Sequence, residues 1–226
     1  MKRLRPEDGA EKHRRAARYH TGACRRASHL PLCVTLRQEM EAFYKALREK
    51  TRTLEDASDD LIDMSAEADA VEESLENVLR DLFQDFGRAD REDPSLNLQD
   101  AAFPDGLSDI LEPKGREQLN TVNSLKERIK KHASHPKVLE GMTKLDQASA
   151  ALDMALSAEE KAEQQVESAA TQEADARQSV REQLNSAHGQ LRAFFKSNPT
   201  RAEKFFIRES GSARPATTTA PITTTA

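Results

Sequence analysis

The 226-residue sequence predicts an all-α protein, an elongated antiparallel helical hairpin or bundle of coiled-coil type with two long helices, one or two shorter ones and disordered termini. Three observations predict it. One apolar residue recurs every seven positions over Met40, Leu47, Leu54, Leu61, Ala68, Leu75 and Leu82. A second apolar stripe of similar length follows residue 136. The composition is 32% charged, 37% hydrophobic and 4% aromatic, without tryptophan, which suits long helices and leaves too little bulky side chain for a thick core.

In chain order, residues 1–34 come first. The formal net charge of -5 is unevenly spread: residues 1–29 hold nine Lys/Arg against three acids, a balance of +6 that leaves -11 for everything after. Few apolar residues recur there at any fixed period, which predicts a basic, mostly disordered arm with a helical turn or two over residues 11–19. Cys24 and Cys33 lie in this arm, form neither a disulfide framework nor a zinc-type pair, and are read as free thiols outside the packed region. Residues 30–34 are too short for a signal-peptide core, and no run approaches the roughly 18 apolar residues of a membrane span. A cytoplasmic protein is expected.

The first long helix is predicted over residues 35–86. Three residues beyond each heptad position stand Phe43, Lys50, Ala57, Met64, Val71, Val78 and Asp85, so the two rows form one stripe. At 1.5 Å per residue the helix is about 75 Å long, and only a partner helix of similar length covers such a stripe. Gly87 stands where a C-cap is expected. The connection 88–113 carries three prolines, yet Leu96, Leu98, Phe103, Leu107, Ile110 and Leu111 are too apolar for a free linker. They are expected to cover one end of the bundle, with a short helix near 105–111.

A shorter helix over 115–132 presents Leu119, Val122, Leu125 and Ile129 on one side. Ser134 as N-cap and Pro136 in a first turn predict a break, after which the second long helix runs over 136–196. Its stripe reads Val138, Met142, Leu145, Leu152, Leu156, Val166, Ala170, Val180, Leu184, Ala187, Leu191 and Phe194. Between Ala148 and Ala176 it is mainly alanine, with Glu159 and Glu173 intruding. Alanine buries less area than leucine, so this stretch is expected to be the softest. Asn198-Pro199 offers a cap and first-turn proline for a terminal helix over 199–208, and residues 209–226 form a Thr-rich tail predicted to be disordered. Pairing Phe86 with Leu145 aligns the long helices antiparallel over comparable lengths, with the tip segment 88–134 at one end of the 35–208 bundle.

No constellation carries recognisable chemistry. There is no Gly-x-Ser-x-Gly elbow and no phosphate-cradling glycine loop, and no glutamate stands three residues before any of the six histidines, as a di-iron bundle requires. No catalytic residue, cofactor, metal or small-molecule substrate is expected. Residues 55–76 contain ten acids and no base, among them Asp59, Asp60, Asp63, Glu67, Glu72, Glu73 and Glu76. This is a solvated face or a docking surface for a basic partner, the nearest being Lys126, Arg128, Lys130, Lys131 and Lys137 of the same chain. Arg14, Arg15, Arg18, Arg25 and Arg26 are the candidate partner-binding residues of the arm. The expectation is a non-catalytic helical scaffold or protein-interaction module with a protein partner or self-association. The alternative is a nucleic-acid-associated protein that neutralises phosphates with the basic arm.

Overall fold

The structure, a computed structural model, describes residues 4–207. Every regular element among them is helical: α1 (Ala10–Arg26), α2 (Pro31–Glu92), α3 (Leu98–Ala102), α4 (Ser108–Leu111), α5 (Gly115–Ile129), α6 (Pro136–Phe194) and α7 (Pro199–Glu203), with a 3-10 turn at Lys130–His132. The Thr-rich tail lies outside the described residues. The long helices α2 and α6 pack against each other, and the chain divides into two compact units: Met1–Arg52 with Thr171–Ala226, and Thr53–Ala170.

The terminal unit is built from α1, the start of α2, the end of α6, and α7. Gln183 donates to Glu39 at 2.7 Å and Lys50 to Gln172 at 2.8 Å, so rising numbers on α2 meet falling numbers on α6 and the pair is antiparallel. Its core joins Leu36, Met40 and Leu47 to Val180, Leu184, Ala187, Leu191 and Phe195. Phe194, placed on the stripe by its sequence spacing, is 51% exposed, and its neighbour Phe195 turns inward instead.

In the same unit, α1 occupies the stretch whose composition predicts disorder. Its inward face is His13, Ala17, His20 and Cys24, spaced by four, three and four, so it is helical in period but carries no bulky aliphatic side chain. Two polar anchors hold it. The buried carboxylate of Glu173 pairs with Arg177 at 2.8 Å, and Arg177 also donates to the Asp8 carbonyl at 3.2 Å. His20 donates from Nδ1 to the Phe205 carbonyl at 3.3 Å.

The central unit comprises the remainder of α2 and α6 with α3, α4 and α5. Lys137 approaches Asp85 at 3.8 Å and Ser65 donates to Glu159 at 2.6 Å, again antiparallel. Asp85 thus faces a residue eight positions before Leu145, so the register differs from the one that sequence length suggests. Gly141 explains the shift: a Cβ there would fall on the Leu82 side chain, and the missing Cβ is the notch that receives it. The buried second row of α2 is also different. Leu79 and Phe86 are fully enclosed, whereas Val78 and Asp85 are half-buried.

Gly87 does not end α2, which continues to Glu92. It is buried, and a Cβ on it would meet the Gln99 side chain at 3.0 Å, so the glycine admits a close crossing in which Gln99 donates to the Phe83 carbonyl. The Asp90 carboxylate accepts from the amides of Leu98 and Gln99 at 2.7 and 2.8 Å and fixes the start of α3. Leu98, Phe103 and Ile110 are buried against the core as expected, as are Leu119, Val122, Leu125 and Ile129 of α5. Pro136 opens α6, which makes His135 rather than Ser134 the preceding cap position, and Asn198 precedes α7 without a side-chain capping bond. Toward α6 residues 155–169 the seam narrows to Ala155, Ala162 and Ala169.

Candidate functional site

The cations of α1 are sorted by the face they occupy. With His13, Ala17, His20 and Cys24 inward, the arginines point to solvent. Arg14 pairs with Glu11 at 2.7 Å, and Arg25 reaches Glu41 at 4.0 Å. Arg15, Arg18 and Arg26 are exposed and have no carboxylate partner among the described residues.

Two open grooves run between these arginines and the segment around α7. Arg15, Arg18 and Tyr19 face Lys204, Phe206 and Ile207 across a space of about 730 Å³. Arg26, Ala27 and His29 face Asn198, Thr200, Arg201 and Lys204 across about 660 Å³. Lys204 belongs to both. It too lacks a carboxylate partner among the described residues, and Arg201 stacks over the Phe195 ring at 4.7 Å. Five cations from opposite ends of the sequence thus line one continuous surface: Arg15, Arg18, Arg26, Arg201 and Lys204. The sequence pattern marks only the three from α1.

Beneath this surface lies a buried imidazole–thiol cluster. A carbonyl can only accept, so the contact to Phe205 places the His20 proton on Nδ1 and leaves Nε2 to accept from the Cys24 thiol at 3.6 Å. His20 stacks on Phe206 at 5.0 Å, and His188, held by Glu203 at 2.7 Å, meets the same ring edge-on. Cys24 and Cys33 are 1% and 0% exposed, so both thiols sit inside the packed region rather than outside it. Burial pushes the Cys24 thiol up to about 12 and the Cys33 thiol upward, and it drives His20 down to about 4. A nucleophilic cysteine needs the opposite shifts, a lowered thiol beside a charged imidazole. Here both partners stay neutral, and the cluster serves to clamp α1 against the 205–206 segment.

The acidic face of α2 belongs to the central unit. Glu72 accepts from the Gly115 amide at 2.7 Å, while Glu76 binds Arg80 at 2.6 Å and also Lys114, which holds its carboxyl below the usual range. Asp59, Asp60, Asp63, Glu67 and Glu73 are exposed. The basic residues of 126–137 are not their counter-charge. Lys126 binds Asp146, Arg128 binds the Ala102 carbonyl, Lys130 approaches Glu127 and Lys137 approaches Asp85. The physical reason is placement: α5 lies along α6, where Arg116 reaches Asp153 and Glu160, so its outer cations meet α6 carboxylates.

Among the described residues no group of three or more His, Cys, Asp or Glu is placed to hold a metal ion, and no helix is long and apolar enough to cross a membrane. Comparison of the chain with protein-family models, curated proteins and solved structures returns no match.

Proposed function

We infer that this chain is a non-catalytic helical interaction module whose contact surface is the cationic surface between α1 and α7. One observation carries the reading: Arg15, Arg18, Arg26 and Lys204 converge on two grooves that meet at Lys204, exposed and without carboxylate partners among the described residues. Uncompensated cations on a packed helical ledge are an arrangement for meeting an anionic partner. The neutral His20–Cys24 pair beneath supports a structural rather than a catalytic use of that thiol. Two free buried thiols fit a reducing, cytoplasmic setting.

The partner of choice is an acidic protein segment. A second reading, phosphate binding on nucleic acid by Arg14, Arg15, Arg18, Arg25 and Arg26, draws on the same cations, but Arg14 and Arg25 are engaged internally and line neither groove. Fluorescence anisotropy with a labelled polyglutamate peptide tests the proposal. Binding at low salt that weakens with added salt, and that is lost in the full chain carrying Arg15→Gln, Arg18→Gln and Lys204→Gln, is the expected result. No binding at low salt overturns it.

A further inference from the structure

The cations on α1 are not scattered. At about 100° per residue, Arg15, Arg18 and Arg26 fall within a sector of about 80°, spread along about 16 Å of helix. Gly22 lies in the same sector, with the Arg26 guanidinium 4.0 Å from the place its Cβ would take. Lys204 flanks the line from the far side of both grooves.

The chain itself carries a counterpart. Asp59, Asp60, Asp63 and Glu67 fall within a sector of about 100° on α2, spread along about 12 Å. All four are exposed, and none has a cationic partner among the described residues. They stand in a stretch, residues 55–76, without a single base in the sequence.

Resting on the reading of this groove as a site for an acidic protein segment, we propose that its occupant is a second copy of this chain, whose α2 stripe Asp59, Asp60, Asp63 and Glu67 lies along Arg15, Arg18, Arg26 and Lys204. The two surfaces differ, so the contact is heterologous, and in a pair one copy keeps a free acidic stripe and the other a free cationic groove. Association continues head to tail, grows with concentration, and depends on salt because every charge in it is exposed.

Sedimentation equilibrium on the full chain tests this. At low salt the average mass of the wild type rises with concentration past two copies, and in roughly 1 M salt, where the Debye length is about 3 Å, it returns to one. The variant Arg15→Gln/Arg18→Gln/Lys204→Gln stays monomeric, as does the variant Asp60→Asn/Asp63→Asn/Glu67→Gln. Mixed in equal amounts they form pairs and stop, because one retains only the acidic stripe and the other only the cationic groove. Wild type that stays monomeric at low salt overturns the proposal, as does continued growth in either variant or the absence of pairs in the mixture. Polyglutamate binding without self-association removes the second copy and leaves the acidic-partner reading intact, whereas loss of both removes both. Binding of a DNA duplex through Arg15, Arg18 and Lys204 in a chain that does not self-associate overturns the inference in favour of phosphate.

Discussion

The central unit fills its interior with Leu75, Leu79, Phe86, Leu125, Ile129 and Leu145, whereas the terminal unit buries His13, His20, Cys24, Cys33 and Glu173 among its leucines and phenylalanines. The first gains stability from apolar area, which is indifferent to pH. The second gains part of its structure from hydrogen bonds and a buried ion pair, whose value depends on protonation. Outside, the charges differ in sign: the central unit meets Glu72 and Glu76 with a backbone amide, Lys114 and Arg80 but exposes Asp59, Asp60, Asp63 and Glu67, whereas the terminal unit exposes Arg15, Arg18, Arg26 and Lys204. A unit built this way trades some robustness for a fixed, charged face.

Acid gives the largest expected separation between the two. His20 titrates near 6.5 when unfolded and at about 4 in the fold, where burial opposes its charge. Its folded value is depressed, so as pH falls through 6.5 the unfolded chain takes up a proton that the native chain refuses until about 4. The associated stability is complete above pH 6.5 and is lost progressively between 6.5 and 4, in total about 3 kcal/mol. His13, also lowered by burial, acts in the same direction. Amide-exchange protection factors, which are corrected for the intrinsic slowing of exchange in acid, should therefore fall from pH 7 to 5 at Leu184, Ala187 and Leu191 before they fall at Leu125 and Ile129. His20→Gln should flatten that difference. An equal fall in both units would erase the contrast.

These features were unequally legible in the sequence. The sevenfold recurrence from Met40 to Leu82 announces α2 because every hit is apolar and the period belongs to one helix face. The apolar residues of 96–111 announce a cover for the same reason. Helix α1 does not announce itself, since a face of His, Ala, His and Cys scores as polar until its partners Phe205, Glu173 and Arg177 are known to be close. The register was hidden by Gly141, whose role is a missing atom and so leaves no mark in an apolar pattern. Two of the five cations of the surface were hidden by distance along the chain: nothing local ties Arg201 and Lys204 to Arg15, Arg18 and Arg26, yet three dimensions place them on shared grooves.

Two glycines of α6 sharpen the comparison further, because one substitution should have opposite signs in the two units. At Gly189, in the terminal unit, an added Cβ meets nothing within 4 Å, so Gly189→Ala should stabilise by about 1 kcal/mol through helix propensity alone. At Gly141 the same gain is offset by overlap with the Cδ1 of Leu82, a side chain only 4% exposed that must turn within a packed seam. Overpacking a closed seam costs roughly 1–3 kcal/mol, so Gly141→Ala should be net destabilising by up to about 2 kcal/mol. Urea melts of the two variants decide the matter, and stabilisation by both would show that the Leu82 notch does not set the register.

The smallest expected effect concerns Gln118, which with Ser149 breaks the rule for the central unit among the described residues. Gln118 on α5 is 0% exposed, and neither its Nε2 nor its Oε1 has a hydrogen-bonding partner among the described residues. An amide enclosed among Leu119, Val122 and their neighbours gives up its hydration for nothing in return. Methionine has nearly the same length and shape without the polar atoms, so Gln118→Met removes the desolvation cost and keeps the packing. Stability should rise by about 1 kcal/mol, read as a shift of the urea midpoint at constant slope. A fall instead would mean that the amide is bonded in solution, and the difference between the two interiors would then be one of degree.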